Sequence, residues 1–337
     1  MDKFVIDQAE GLRRLLAREG PRVIAVTGGH GAPGRTTVVI NLATALTAQG
    51  KDVIVIDECL GPRPVSAQLG GGLRGVGGVG GVGDAGAEWR SHAGSLAGNF
   101  ARNFAAVMRG EIALDQAVAR HALGFGVLAA PREQCAGPQL DAPLSKLLAG
   151  PADFVLIDAQ LDAEGALSPL ALHAHDVLIV MRVTAQAITD AYACMKRLHF
   201  AHAIGQFRVL ANHVASAADA QAALDNLADV ASRYLAVSLE RAGSVAADPH
   251  MPRALQLSRC IVDAFPSTAA ARDFRHVAAE LPHWPLRPAL LASAGTPASP
   301  EQSTNSFVSS ATGVPSASAT AYAGWRADSP VHAHRHA

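Results

Sequence analysis

The sequence predicts an α/β fold, in which a doubly wound, mostly parallel sheet carries helices on both faces. Two observations predict it. Short β-branched runs alternate with longer helical patterns along the chain, and the runs are continuously apolar instead of alternating with polar residues. Continuous apolar strands separated by helices are typical of a parallel sheet whose two faces are both buried.

Five apolar runs predict the strands of this sheet, at residues 23–26, 53–56, 154–157, 177–180 and 208–211. Between the first two runs, Val39, Leu42, Ala43 and Leu46 recur at helical spacing. Gly50 follows them, where the C-terminus of a helix favours a residue in the left-handed conformation. These residues therefore predict a βαβ unit near the start of the chain.

Composition limits the classes of protein that this chain can be. Its 337 residues, 49% of them hydrophobic, are enough for one sizeable core. A net charge of −1 gives no basic surface, so nucleic acid is not an expected partner. The four cysteines are widely spaced, and no apolar run is long enough to span a membrane. We therefore expect a cytoplasmic protein, with any membrane contact peripheral, at the inner face of the plasma membrane.

A glycine-rich loop follows the first predicted strand. Residues 28–37 read GGHGAPGRTT and match the phosphate-loop pattern G-x-x-x-x-G-K-[ST], except that arginine replaces the lysine. Glycines allow backbone N–H groups to close around phosphate oxygens at the start of a helix. The alternative is a plain glycine-rich turn between a strand and a helix. The expected nucleotide-binding residues are Gly29, His30, Gly31, Gly34, Arg35, Thr36 and Thr37.

Two aspartates come directly after predicted strands, Asp57 after the second and Asp158 after the third. A lone aspartate at a strand end is often only a turn former. Two of them beside a phosphate loop lie where sheets of this kind bind ligands. We expect both to be catalytic and, together with the hydroxyl of Thr36, to be ligands of Mg²⁺.

These motifs resemble those of the MinD/ParA family of P-loop NTPases. The family's K-G-G-x-G-K-T loop corresponds to residues 30–36, and its D-x-D-L-G motif to residues 57–61. Residues 188–196 are similar to a helix, I-T-D-A-Y-x-x-x-K, of the family's flagellar branch. The resemblance implies ATP and Mg²⁺ as cofactors, an ATP-dependent homodimer, and contact between Asn212 and the adenine ring.

The N-terminus carries a second resemblance. Residues 7–13 read DQAEGLR and match DQAxxLR, the motif by which the flagellar-number regulators of this family engage the GTPase FlhF. Without the resemblance, the segment would be interpreted as an ordinary amphipathic helix. Flagellar switch proteins and a flagellar transcription activator are further partners that the resemblance raises. The implied partner-binding residues are Asp7, Gln8, Ala9, Leu12 and Arg13.

The expected organisation has three parts. Residues 1–20 form the amphipathic helix that activates FlhF, and residues 21–282 form the nucleotide-binding domain, with a glycine-rich insertion at 70–98. Residues 283–337, rich in Ala, Ser and Pro, form a disordered tail. Just before this tail, Phe274, Val277, Ala278 and Leu281 share one helical face. That face either anchors the protein to a membrane or packs on the sheet.

Three substitutions depart from the family pattern where chemistry is expected. His30 replaces the signature lysine, Arg35 replaces the loop lysine, and Cys59 replaces the aspartate that positions the attacking water. A thiol is a poor substitute for a carboxylate that orients water. ATP hydrolysis is therefore expected to be weak. The alternatives are a pseudo-ATPase scaffold that lacks hydrolysis and a ParA- or MinD-type ATPase that positions other cargo.

Overall fold

The computed structural model describes residues 20–30, 33–59, 64–69, 73–74, 104–132, 148, 150 and 152–290. All of them belong to the first of two compact units, Met1–Pro297 and Ala298–Ala337. The N-terminal helix predicted for 1–20, apart from its last residue, lies outside the described residues. So do most of the glycine-rich insertion and the part of the tail beyond residue 290.

A nine-stranded sheet forms the centre of the described structure, in the order β3-β4-β5-β2-β6-β1-β7-β8-β9. Strands β5, β2, β6, β1, β7, β8 and β9 run parallel, whereas β4 is antiparallel to both β3 and β5. The strands are β1 (Arg22–Gly28), β2 (Val53–Asp57), β3 (Leu73–Arg74), β4 (Ala119–His121), β5 (Gly126–Ala129), β6 (Phe154–Asp158), β7 (Asp176–Arg182), β8 (Gln206–Val214) and β9 (Ser238–Ala246).

Helices connect these strands and cover the sheet. They are α1 (Arg35–Ala48), α2 (Val65–Leu69), α3 (Leu114–Ala117), α4 (Ala185–His202), α5 (Ala217–Leu235), α6 (Met251–Gln256), α7 (Ile261–Ala264) and α8 (Ala269–Glu280). Short 3-10 helices cover Ala171–His173 and Leu281–His283, and residues 104–108 are also helical. No helix among these described segments is both long enough and apolar enough to cross a membrane.

Helices pack on both faces of the sheet, which confirms the predicted doubly wound fold. In β1, Val23 belongs to the same core as Leu198 of α4, whereas its neighbour Ile24 belongs to a second core with Leu42 of α1 and Phe274 of α8. Successive side chains of a strand point to opposite faces. A strand buried on both faces must therefore be apolar throughout, which is the pattern that predicted it.

All five predicted strands are present, each longer than its apolar run. The predicted helix is α1, and Gly50 follows it with a φ of +81°, in the left-handed conformation expected there. The apolar runs did not reveal β3, β4, β5 and β9. Strand β9 lies at an edge of the sheet and carries polar side chains such as Ser238 and Glu240, so it has no continuous apolar run.

The apolar face of α8 is buried. Phe274, Val277, Ala278 and Leu281 are each at most 1% exposed, in the core that α1 and the sheet share. Of the two alternatives for this face, the structure therefore shows packing on the sheet. A membrane could reach the face only if α8 left the core.

A buried cluster of charged side chains joins the segment after α8 to the amino ends of β1 and β7. The Asp176 carboxylate accepts hydrogen bonds from Arg22 (2.8 Å from Nη2), Arg208 (2.9 Å from Nε) and Arg287 (3.2 Å from Nη1). The Trp284 ring lies 4.1 Å from the guanidinium carbon of Arg208. Residues 283–290 were predicted to begin the disordered tail, but these contacts hold Trp284 and Arg287 against the domain.

Candidate functional site: the phosphate loop and two strand-end carboxylates

The predicted phosphate loop connects β1 to α1, in the middle of the sheet. Gly34, at the N-cap of α1, has a φ of +89°, a conformation that L side chains rarely adopt. No side chain caps this end of the helix. The first-turn N–H groups of a helix have no partner within the helix, so they remain available to an anion. Gly31 lies outside the described residues.

Gly28 and Gly29 are required by packing as well as by the loop. A Cβ atom at Gly29 would lie 2.6 Å from Cβ of Asp190 and 2.7 Å from its backbone carbonyl carbon. At Gly28 it would lie 2.5 Å from the carbonyl oxygen of Val180, in the neighbouring strand β7. The start of the loop is therefore pressed against α4 and β7. The sequence pattern marked Gly29 for phosphate contact and did not reveal the role of either glycine in packing.

Asp158 is the centre of the site. Its carboxylate is fully buried at the end of β6 and binds two residues of α1. The Arg35 Nε donates a hydrogen bond to Oδ1, which makes an ion pair, and the Thr36 hydroxyl donates to Oδ2 at 2.6 Å. Burial lowers the pKa of Arg35, but the Asp158 carboxylate outweighs that effect and leaves the pKa raised. The structure thus brings together Arg35, Thr36 and Asp158, as the motifs predicted.

Asp57 lies beside Asp158, because the two residues are partners in the parallel register of β2 and β6. Its Oδ1 accepts the backbone N–H of Cys59 at 3.0 Å and its Oδ2 that of Val65 at 2.7 Å. Burial, and then the negative charge of Asp158, raise the pKa of Asp57 to about 7. A second ionised carboxylate at this position is therefore costly, and the two backbone donors partly offset that cost.

Glu58 is a buried carboxylate that the motif comparison missed. It is fully buried and accepts hydrogen bonds from the Ser168 hydroxyl and, at 3.1 Å, from the backbone N–H of Gln160. Burial raises its pKa to about 7. It occupies a position that the D-x-D-L-G pattern leaves undefined, so the motif gave no signal. Glu58 ties the end of β2 to the segment that follows β6.

Two predicted nucleotide-binding residues lie beside the loop and bind protein atoms. The Asn212 amide donates to the carbonyl oxygen of Pro33 at 2.8 Å, and a Cβ at Gly34 would lie 2.5 Å from the amide nitrogen. The Thr37 hydroxyl donates to Oε1 of Gln68 at 3.2 Å. Asn212 therefore holds the loop in place. Its contact with adenine stays a prediction.

The remaining predicted site residues are His30 and those at 7–13, and Cys59 is the site of the third substitution. His30 is exposed at the loop, and Cys59 is half-buried after β2, where its backbone N–H binds Asp57. The partner-binding residues predicted at 7–13 lie outside the described part of the chain.

The loop fits a phosphate group, but Mg²⁺ does not fit the carboxylates as they are arranged. Magnesium demands nearly octahedral geometry, with oxygen ligands at about 2.0–2.1 Å. One oxygen of Asp158 is ion-paired with Arg35, and both oxygens of Asp57 accept backbone hydrogen bonds.

The sequence is similar to that of a curated protein over most of its length. The antiactivator FleN of Pseudomonas aeruginosa is 28% identical over 276 residues, which cover 79% of this chain and 88% of FleN. No protein-family model matches the sequence.

Solved structures that share the fold include two from cell division proteins. MinD in the MinC:MinD cell division protein complex of Aquifex aeolicus has a TM-score of 0.55 at 19% identity, and covers 79% of this chain and 97% of its own. MinD of Pyrococcus horikoshii, complexed with Mg-ADP, has a TM-score of 0.52 at 19% identity, over 77% and 96% of the two chains. Together with the loop at the end of β1, these comparisons lead to one conclusion: the chain has the fold of these MinD structures and is similar in sequence to FleN over most of its length.

Proposed function

We propose that this chain is an ATP-binding regulator of flagellar number, placement and biosynthesis, of the FlhG/FleN type, that acts on an FlhF-like GTPase. Its relation to an antiactivator supports a regulatory role, and the DQAEGLR sequence at 7–13 supports the GTPase partner. We extend the proposal to an ATP-dependent homodimer and to a flagellar transcription activator or switch protein as further partners.

The observation that carries ATP binding is the loop between β1 and α1. Gly28 is packed against β7 and Gly29 against α4. Gly34 has a left-handed conformation at the N-cap of α1, and Arg35 supplies a fixed positive charge. Backbone donors at a helix N-terminus, together with a cation, are the elements that bind nucleotide phosphates.

We propose that ATP hydrolysis is slow. The thiol of Cys59 occupies the position of a carboxylate that orients water, and exposed His30 stands where the family pattern has a lysine with its fixed positive charge. Phosphoryl transfer depends on positioning and on electrostatic stabilisation, so these losses together lower turnover by a factor on the order of 10² or more.

A pseudo-ATPase scaffold is the second candidate, and the same substitutions at His30 and Cys59 favour it. In that case the domain supports the N-terminal motif without any nucleotide. DNA partitioning of the ParA type is not favoured, because a net charge of −1 gives no basic surface for DNA.

Stimulation of GTP hydrolysis by purified FlhF tests the regulatory role. The full-length chain, and a peptide of residues 1–20, should accelerate it. Gln8→Ala and Arg13→Ala should abolish the effect, whereas Arg14→Ala, a neighbouring arginine outside the motif, should leave it intact. Equal stimulation by all three variants would remove the motif from the proposal.

A further inference from the structure

The positive charge that pairs with the Asp158 carboxylate is the guanidinium of Arg35. Asp158 is fully buried, and the Arg35 side chain that pairs with it is 21% exposed. Thr36 binds the other carboxylate oxygen at 2.6 Å. Both oxygens of the residue expected to bind Mg²⁺ are therefore engaged by side chains from the first turn of α1.

This arrangement depends on arginine at position 35. A lysine ammonium is a compact point charge, whereas a guanidinium has five N–H donors in a rigid plane. Arg35 uses its Nε–H on Asp158, and its two Nη groups have no hydrogen-bond partner among the described residues. A guanidinium in this position can pair with a carboxylate on one side and with phosphate oxygens on the other.

The neighbouring carboxylate is already hydrogen-bonded to the backbone. The two oxygens of Asp57 accept the backbone N–H groups of Cys59 and Val65, at 3.0 and 2.7 Å. A metal ion would have to share these oxygens with the N–H donors, or displace the guanidinium from Asp158. Displacing the guanidinium would also bring two like charges, the metal ion and Arg35, close together in a buried site, which is unfavourable.

We propose that Arg35 takes the place of Mg²⁺ in this protein, so that the loop binds metal-free ATP, with the guanidinium bridging Asp158 and the nucleotide phosphates. This inference rests on the proposed binding of ATP and specifies the form of the nucleotide that is bound. It also gives a reason for slow hydrolysis, because no metal ion is then available to neutralise the charge that develops on the phosphates.

Equilibrium titration of a non-hydrolysable ATP analogue into the full-length protein tests the inference, in buffer with excess MgCl₂ and in buffer with EDTA. The wild-type affinity should differ by less than about threefold between the two buffers. Arg35→Lys is the matched variant, since it keeps the charge but cannot bridge in the same way. Its affinity should fall at least about tenfold in EDTA.

The possible failures are distinguishable. A wild-type affinity that falls about tenfold or more in EDTA would overturn the inference and leave ATP binding in place. Absence of binding in both buffers would overturn the proposed ATP binding, and this inference with it. Equal metal dependence of wild type and Arg35→Lys would show that Arg35 has no special role. Thermal unfolding of the nucleotide-free proteins confirms that both are folded.

Discussion

At the scale of single residues, the site is defined by which partner each charged group has. The motifs brought Arg35, Thr36, Asp57 and Asp158 together correctly, because a phosphate loop and the carboxyl ends of parallel strands must meet at one end of the sheet. They could not predict that Arg35 pairs with Asp158, or that Glu58 is buried. Those facts depend on side-chain directions and on contacts between distant segments.

Restoring two family residues should restore hydrolysis. Cys59→Asp returns the carboxylate that orients water, and Arg35→Lys frees Asp158 for a metal ion. In a steady-state phosphate-release assay with MgCl₂, the double variant should exceed wild type by at least about tenfold. Cys59→Asn with Arg35→Lys is the control, similar in shape but without a carboxylate. An Asn double variant as active as the Asp one would contradict the assigned role of position 59.

At the scale of elements, patterning predicted the five adjacent central strands, β2, β6, β1, β7 and β8, and missed β9 on one side of them and β3, β4 and β5 on the other. Strand β9 is an edge strand with a mixed polar pattern, and β3 and β4 are only two and three residues long. The face of α8 could be recognised as apolar, but the sequence could not say what covers it. In the structure, the sheet and α1 cover this face.

The segment after α8 should contribute to stability through Trp284. This side chain is 9% exposed and lies against Arg208, whereas Leu286, two residues later, is 54% exposed. Trp284→Ala should lower the free energy of unfolding by about 3 kcal/mol, because it removes a buried ring and leaves a cavity. Leu286→Ala should change it by less than about 0.5 kcal/mol. Equal changes in the free energy of unfolding for the two variants, measured with urea, would contradict a stabilising role of Trp284.

Acid should weaken the junction between β1 and β7. The Val23 N–H donates to Nδ1 of His175 at 3.0 Å, so the imidazole must be neutral there. Burial, and then the positive charge of Arg22, lower the pKa of His175. A lowered pKa in the folded state stabilises the protein above the usual histidine pKa, and this contribution is lost as the pH falls through the folded value.

His175→Asn keeps a hydrogen-bond acceptor but cannot titrate. Between about pH 7 and about pH 5, it should therefore lose less unfolding free energy than wild type in urea titrations. His276→Asn, at an exposed site on α8, should behave like wild type. If His175→Asn keeps the full pH dependence of wild type, the junction is not the acid-sensitive element.

At the scale of the whole molecule, the candidate site and the buried charge cluster lie at opposite ends of the parallel strands. The carboxyl ends carry the phosphate loop, Asp57 and Asp158, whereas the amino ends carry the Asp176 cluster that fastens the last segment. The fold class followed from the sequence because strand and helix patterns alternate along most of the domain. The proposal of slow hydrolysis followed from three substitutions, at His30, Arg35 and Cys59.

The most direct test of the account is calorimetric titration of the full-length protein with a non-hydrolysable ATP analogue. Gly34 and Gly50 have similar positive φ values, +89° and +81°, at opposite ends of α1. Alanine is strained at both, but only at Gly34 would its Cβ meet Asn212 over the loop.

Wild type and Gly50→Ala should bind one nucleotide per chain with similar affinity, and Gly34→Ala should bind at least about tenfold more weakly. No binding by wild type at about millimolar nucleotide, or equal binding by all three proteins, would contradict a phosphate loop that binds ATP.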